Sequence, residues 1–140
     1  PRDPGGEEYL DSEKYEIKAW DLERADSLAP FIRRLNEIRR EEPALSRVRP
    51  PLVQRIDDPH LLAWCRYDAA GGNRVLVVVN LRPHEPRAGR LELDRPTLGL
   101  GDRDTLAAHD LLDHAEHIWP TDAITIECTP DTPVRVFRLC

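Results

Sequence analysis

Val75-Leu76-Val77-Val78-Val79 is an unbroken apolar run, four valines around one leucine, inside the segment 74–81. Side chains branched at Cβ are stiff and pack well on a pleated surface, so this run reads as a strand. No polar residue occupies the alternate positions, and both faces therefore need cover, which makes it a central strand.

Further strand-like segments surround it at 61–67, 89–93, 106–111, 123–128 and 134–139. They are separated by turn chemistry: Ala69-Ala70-Gly71-Gly72-Asn73, Arg82-Pro83-His84-Glu85-Pro86, residues 98–104 and Thr129-Pro130-Asp131. Six or seven short strands with no helix among them predict a mainly β fold, an antiparallel β-sandwich of roughly 90 residues. Trp64, inside the alternating strand 61–67, is expected in its core.

Upstream of Pro50-Pro51 the period changes. Leu28, Phe31 or Ile32, Leu35 and Ile38 recur at the spacing of one helical stripe, predicting a helix over 27–42 with Asp26 or Ser27 as cap and Pro43 as stop. Pro30 is tolerated in the first turn, where the amide it lacks has no partner in the helix. A helix this short is not expected to bury its stripe on a sandwich. Before it, residues 1–25 are polar and turn-rich, with Tyr9, Leu10, Tyr15, Ile17 and Trp20 as isolated anchors that need another surface to pack on. The opening Pro1-Arg2-Asp3-Pro4-Gly5-Gly6 offers no element from which a fold could start, and is read as a boundary inside a longer protein.

A chain of 140 residues suffices for one ordinary domain and falls short of a complete barrel enzyme at roughly 200 to 250. Net charge −6 argues against a nucleic-acid surface, and the 20 basic residues, nearly all arginine, are scattered. No apolar run approaches the ~18 residues of a membrane span. Three cysteines without metal-type spacing favour a reducing compartment, hence a cytoplasmic location.

Candidate chemistry is sparse. The carboxylates Glu7, Glu8, Asp11, Glu13 and Glu16 and those of the sandwich flank no strand end that would make a catalytic pair, so they are read as solvated. His109, His114 and His117 lie within nine residues, and the last two would suit one helical face, but no further ligand matches them. No metal or cofactor is expected. Trp20, Trp64 and Trp119 could stack on sugar rings, although packing is the commoner fate of an isolated Trp. Lys14 beside Tyr15 can present an ammonium and a phenol to hydroxyls or a phosphate, or can equally be a surface lysine next to an anchoring tyrosine.

Three stretches carry a resemblance: Glu8-Tyr9-Leu10-Asp11-Ser12-Glu13-Lys14-Tyr15-Glu16, then Trp20-Asp21-Leu22, then Leu35-Asn36-Glu37-Ile38-Arg39-Arg40-Glu41-Glu42-Pro43-Ala44-Leu45. With Val77-Val78-Val79-Asn80-Leu81-Arg82-Pro83-His84, His109-Asp110-Leu111-Leu112-Asp113 and Trp119, the chain resembles the α-1,4-glucan:maltose-1-phosphate maltosyltransferases, a branch of the α-amylase clan of glycoside hydrolases. The helix followed by Pro-Ala-Leu marks only the clan, whereas the run from Tyr9 to Glu16 is narrower. The stretch 46–54 and the loop 101–104 depart from the family's pattern.

The resemblance implies an amylase-type C-terminal sandwich, residues 46–140, preceded by residues 1–45 as the last loop and helix of a (β/α)₈ barrel. The parent would use α-maltose 1-phosphate to extend an α-1,4-glucan with release of phosphate, and would act as a homodimer. Its catalytic carboxylates are expected upstream of Pro1, so this chain alone is expected to be inactive. Lys14 and Tyr15 match the family's donor-contacting pair and are the substrate-binding residues implied here. Other readings are a free-standing glycan-binding sandwich, or the C-terminal region of a branching enzyme or trehalose synthase.

Overall fold

The computed structural model of the protein describes residues 19, 21–46, 50–68 and 72–140. They form helices α1 (Ala29–Glu41), α2 (Pro43–Ser46) and α3 (Arg95–Leu98), with strands β1 (Leu52–Ile56), β2 (Leu61–Tyr67), β3 (Arg74–Asn80), β4 (Arg87–Glu92), β5 (Thr105–Asp110), β6 (Glu116–Pro120), β7 (Ile124–Cys128) and β8 (Val134–Leu139). The chain divides into two compact units, 1–31 and 32–140. In the first, the described residues form a turn braced by an Arg24–Asp26 ion pair, and Ser27 Oγ accepts the Ala29 amide at 3.2 Å as α1 begins.

In the second unit all eight strands join in the order β6-β5-β8-β3-β2-β1-β4-β7, every pair antiparallel. Strand β1 makes the corner: residues 52–54 pair with β2 while Arg55 and Ile56 pair with β4, so the sheet folds over on itself. Gln54 is buried at that corner, its amide donating to the Leu52 carbonyl at 3.0 Å and its oxygen accepting the Asp94 amide at 2.7 Å. Close approach there also demands glycine, because a Cβ on Gly89 would stand 2.8 Å from the Ile56 side chain.

The folded-over sheet encloses the larger of two apolar clusters. Leu61, Ala63 and Cys65 of β2 meet Leu76 and Val78 of β3, Ile124 and Ile126 of β7, and Phe137 of β8. The central strand is covered on both faces as its composition demands: Leu76 and Val78 face this core, and Val75 belongs to a second cluster with Ile38, Ala44, Leu111 and Val136. Helices α1 and α2 thus cover the outer face of β3 and β8.

Three expectations are corrected. The helix stripe is not left bare, since Ile38 is 2% exposed and Leu35 is half-buried, although Ile32 remains 52% exposed. Trp64 is half-buried on the outer face beside Val53 and Val77, because its neighbours Ala63 and Cys65 take the inward positions. Two strands, β1 and β6, and the one-turn helices α2 and α3 lie where connections were expected.

The helices are pinned by a polar joint. Glu42, between α1 and α2, is 1% exposed, and its carboxylate accepts from Asn73 Nδ2 at 2.6 Å and Arg138 Nε at 2.9 Å. Asn73 Oδ1 in turn accepts the Ala44 amide at 2.9 Å, capping α2, and Arg34 Nε donates to the Leu111 carbonyl at 2.9 Å. The carboxylate beside Arg138 holds that guanidinium's pKa above its usual value.

Removing the joint is therefore costly. Glu42→Ala strands Asn73, while Arg138 can partly turn to water, so unfolding free energy is expected to fall by about 2 kcal/mol in a urea titration. Glu41→Ala, one residue earlier and exposed, is the control and is expected to change it by less than about 0.5 kcal/mol. Equal effects from the two substitutions would contradict the joint.

The thiols give a second prediction. Burial pushes Cys65 up to about 12 and raises Cys128, whereas Cys140 is exposed. At pH 8 a thiol reagent is expected to modify one cysteine in the native protein and three in urea; two fast thiols in the native state would refute the packing. Because the Cys65 pKa is raised in the folded state, the unfolded chain ionises first. Stability is whole below the ordinary value of 9.0 and is expected to decline as pH climbs from there towards 12.

Candidate functional site

Lys14 and Tyr15 lie outside the described residues, as do Glu7, Glu8, Asp11, Glu13, Glu16 and Trp20. The site chemistry that can be followed is that of the sandwich.

The histidines do not share a helical face. His109 is on β5, His117 on β6, and His114 sits in the turn between them with φ 65. His109 pairs with Glu116 across the hairpin, its Nδ1 sharing a hydrogen bond with Oε1 at 2.7 Å. His117 pairs with Ala108, which is fully buried, so it points to the opposite face. Among the described residues no group of three His, Cys, Asp or Glu side chains converges on a common point.

Buried carboxylates occur, but each is bound into the fold. Glu42 belongs to the helix joint. Asp110, 1% exposed, closes the β5–β6 turn by accepting the Leu112 amide at 2.8 Å and lies 2.9 Å from Arg135 Nε. That last contact is an ion pair by distance without the alignment of a hydrogen bond, because neither Asp110 Oδ2 nor Arg135 Nε has a hydrogen-bond partner. Both carboxylates are therefore structural groups, not a general acid and base facing a cleft.

A cavity of about 160 Å³ lies between α3 and the ends of β5 and β7, with Arg74, Arg95 and Arg103 in its wall. Two of these are engaged by carbonyl oxygens. Arg74 donates to the carbonyls of Leu98, Gly72 and Gly99, and Arg95 to those of Gly101 and Arg103. They fasten the loop after α3, whose turn ends on Gly99 in the left-handed region with φ 64. These two guanidinium groups hold backbone, although Arg95 Nε, shut away from solvent, has no hydrogen-bond partner.

Proline ends β6, which a sheet edge tolerates because no neighbour needs the missing amide. Both β6 and β7 are terminal in the strand order, and a second cleft opens between them. Among the described residues no helix is long and apolar enough to cross a membrane.

The family model described as GLGE, C-terminal, matches residues 53–139, nearly all of the β domain. An α-1,4-glucan:maltose-1-phosphate maltosyltransferase of Salinibacter ruber is 41% identical over 133 residues, covering 95% of this chain and 20% of the relative. One from Mycolicibacterium smegmatis is 44% identical over 119 residues, 82% of this chain and 17% of the relative. The chain thus spans about a fifth of the length of these curated relatives. Among solved structures, the α-amylase of Geobacillus thermoleovorans complexed with acarbose superposes with TM-score 0.63 at 13% identity, covering 86% of this chain and 24% of that one. That likeness establishes an amylase-type C-terminal β domain as the fold. The folded-over antiparallel sheet and the match across residues 53–139 together place the chain in the GLGE C-terminal family.

Proposed function

We propose that the whole protein transfers maltosyl units from α-maltose 1-phosphate to the non-reducing end of an α-1,4-glucan, releasing phosphate. Residues 1–45 would supply the last loop and helix of its (β/α)₈ barrel, and 46–140 the C-terminal sandwich. The protein would act in the cytoplasm as a homodimer. The observation that carries this reading is the 41% identity to a maltosyltransferase along 95% of the chain.

The chemistry is a retaining double displacement. A carboxylate attacks the anomeric carbon of the maltosyl group, the C–O bond to phosphate breaks, and an acid delivers a proton to the leaving oxygen. The same acid, now a base, takes the proton of the glucan 4-hydroxyl as that oxygen displaces the enzyme carboxylate. No carboxylate described above is arranged for these roles, which supports a sandwich that takes no part in the bond-breaking steps. Lys14 and Tyr15 would contribute from the loop by donating hydrogen bonds to the hydroxyls of the donor.

With α-maltose 1-phosphate and maltohexaose, the whole protein is expected to release phosphate and lengthen the acceptor by two α-linked glucose units. Phosphate release without elongation, or neither, would contradict the reading. Residues 1–140 alone are expected to release no phosphate above a protein-free control.

The donor contacts have their own test in the whole protein. A charged donor to a neutral oxygen contributes about 1.5 to 3 kcal/mol, so Lys14→Ala is expected to lower kcat/KM for maltose 1-phosphate by roughly 10 to 150-fold. Tyr15→Phe removes one hydroxyl and is expected to cost about 1 kcal/mol. Unchanged kinetics for Lys14→Ala would make it a surface lysine; lost activity in step with a lowered Tm would make it a structural one.

A further inference from the structure

The cleft between the two edge strands has a composition that the structural role does not explain. It measures about 240 Å³, below the roughly 300 Å³ of a pocket for a drug-sized ligand, so it suits a single ring. One wall is aromatic: Trp119 stands edge-on to Phe137 with centroids 4.9 Å apart, and His117 lies 5.8 Å from Trp119 at only 30° to its plane. Trp119 and His117 are half-buried, so the wall is sheltered yet reachable. The other wall is polar, with Thr125 and Glu127 exposed on β7 and Arg135 on β8.

The cleft also holds unmet hydrogen-bonding capacity. His117 Nε2 is shut away from bulk solvent with no hydrogen-bond partner, whereas Arg135 Nε, 2.9 Å from Asp110 Oδ2, is ion-paired without a hydrogen bond. A buried polar atom left unpaired is destabilising, and such atoms are normally satisfied by water or a ligand. An apolar ligand would leave the imidazole nitrogen unpaired, and an anion would meet Glu127 beside the cleft and Asp110 and Asp113 behind Arg135. A neutral ring with one apolar face and a rim of hydroxyls fits both walls, since its C–H face can lie on an aromatic ring while its hydroxyls serve imidazole, carboxylate and guanidinium.

From this juxtaposition we infer that the β6–β7 cleft binds one glucosyl unit of an α-1,4-glucan, against Trp119 and His117 on one side and Glu127 and Arg135 on the other. The identity of the sugar rests on the function proposed above; the neutral pyranose class rests on the cleft. The cleft would hold a polymeric acceptor to the protein between transfers.

The test is native electrophoresis of the whole protein in gels containing soluble amylose, with hydroxyethyl cellulose as the control polymer. Amylose alone is expected to retard the parent protein. Glu127→Ala, which alters only an exposed side chain, is expected to weaken retardation about five to tenfold with Tm unchanged. Trp119→Ala is expected to weaken it at least as much, and Trp119→Phe to restore part of it if truncation lowers Tm. Absence of retardation in the parent, or retardation by amylose that is the same in Glu127→Ala and Trp119→Phe as in the parent, would overturn the inference. Maltosyl transfer by the parent is measured in parallel. Retardation that depends on Glu127 in a protein without transfer would refute the enzymatic reading and leave the cleft standing.

Discussion

The arrangement of the second unit depends on where the Glu42 carboxylate goes. Pro43 follows it, lacks an amide to donate, and disfavours the helical region for the residue before it, so α1 must stop there. A carboxylate at the stop, almost wholly out of solvent, then needs donors, and it finds Asn73 at the start of β3 and Arg138 near the end of β8. Those two strands are neighbours, with Val75 paired to Arg138. One side chain thus ties the helix end to the two strands at the centre of the sheet. The apolar contacts of Ile38, Ala44, Val75 and Val136 complete the attachment without setting its direction, because apolar burial is indifferent to orientation and a charge-assisted bond is not.

This gives the central strands their double cover. Strands β3 and β8 carry helices outside and the shared core inside. Away from them the sheet turns its corner at β1 and runs out to edges at β6 and β7, which are left without a second neighbour. The helices lie on the outer face of β3 and β8, and the ligand-like cleft lies where Arg135 and Phe137 of β8 meet the edge strands β6 and β7. A domain that steadies a helix at one place can hold a polymer at another without conflict between the tasks.

How far the sequence disclosed this varies with the range of each signal. The run 75–79 was legible because a two-sided burial requirement is written in consecutive residues. Strand β2 and strand β8 were legible for a similar reason, and their bounds coincide with the expected 61–67 and 134–139. Strand β1 was missed because its polar members, Gln54 and Arg55, mask the alternation; Gln54 is buried for a bond to Asp94, forty residues away. Strand β6 was left out of the expected strands, and it ends in Pro120, which has no amide for a sheet. Glu42 stands at the end of the expected helix, and nothing local announces partners 31 and 96 residues distant. The family was legible from Tyr9 to Glu16 and around Pro43-Ala44-Leu45, while the cleft was not, since Trp119, Glu127 and Arg135 meet only when the two edges do.

If the joint fastens helix to sheet as described, the two must open together, and amide hydrogen exchange on the whole protein tests that most directly. The amides of 38–42 are expected to exchange with the same opening free energy as those of β3 and β8, as one cooperative unit. Helix amides that exchange through their own opening, well below the strands in free energy, would contradict the account.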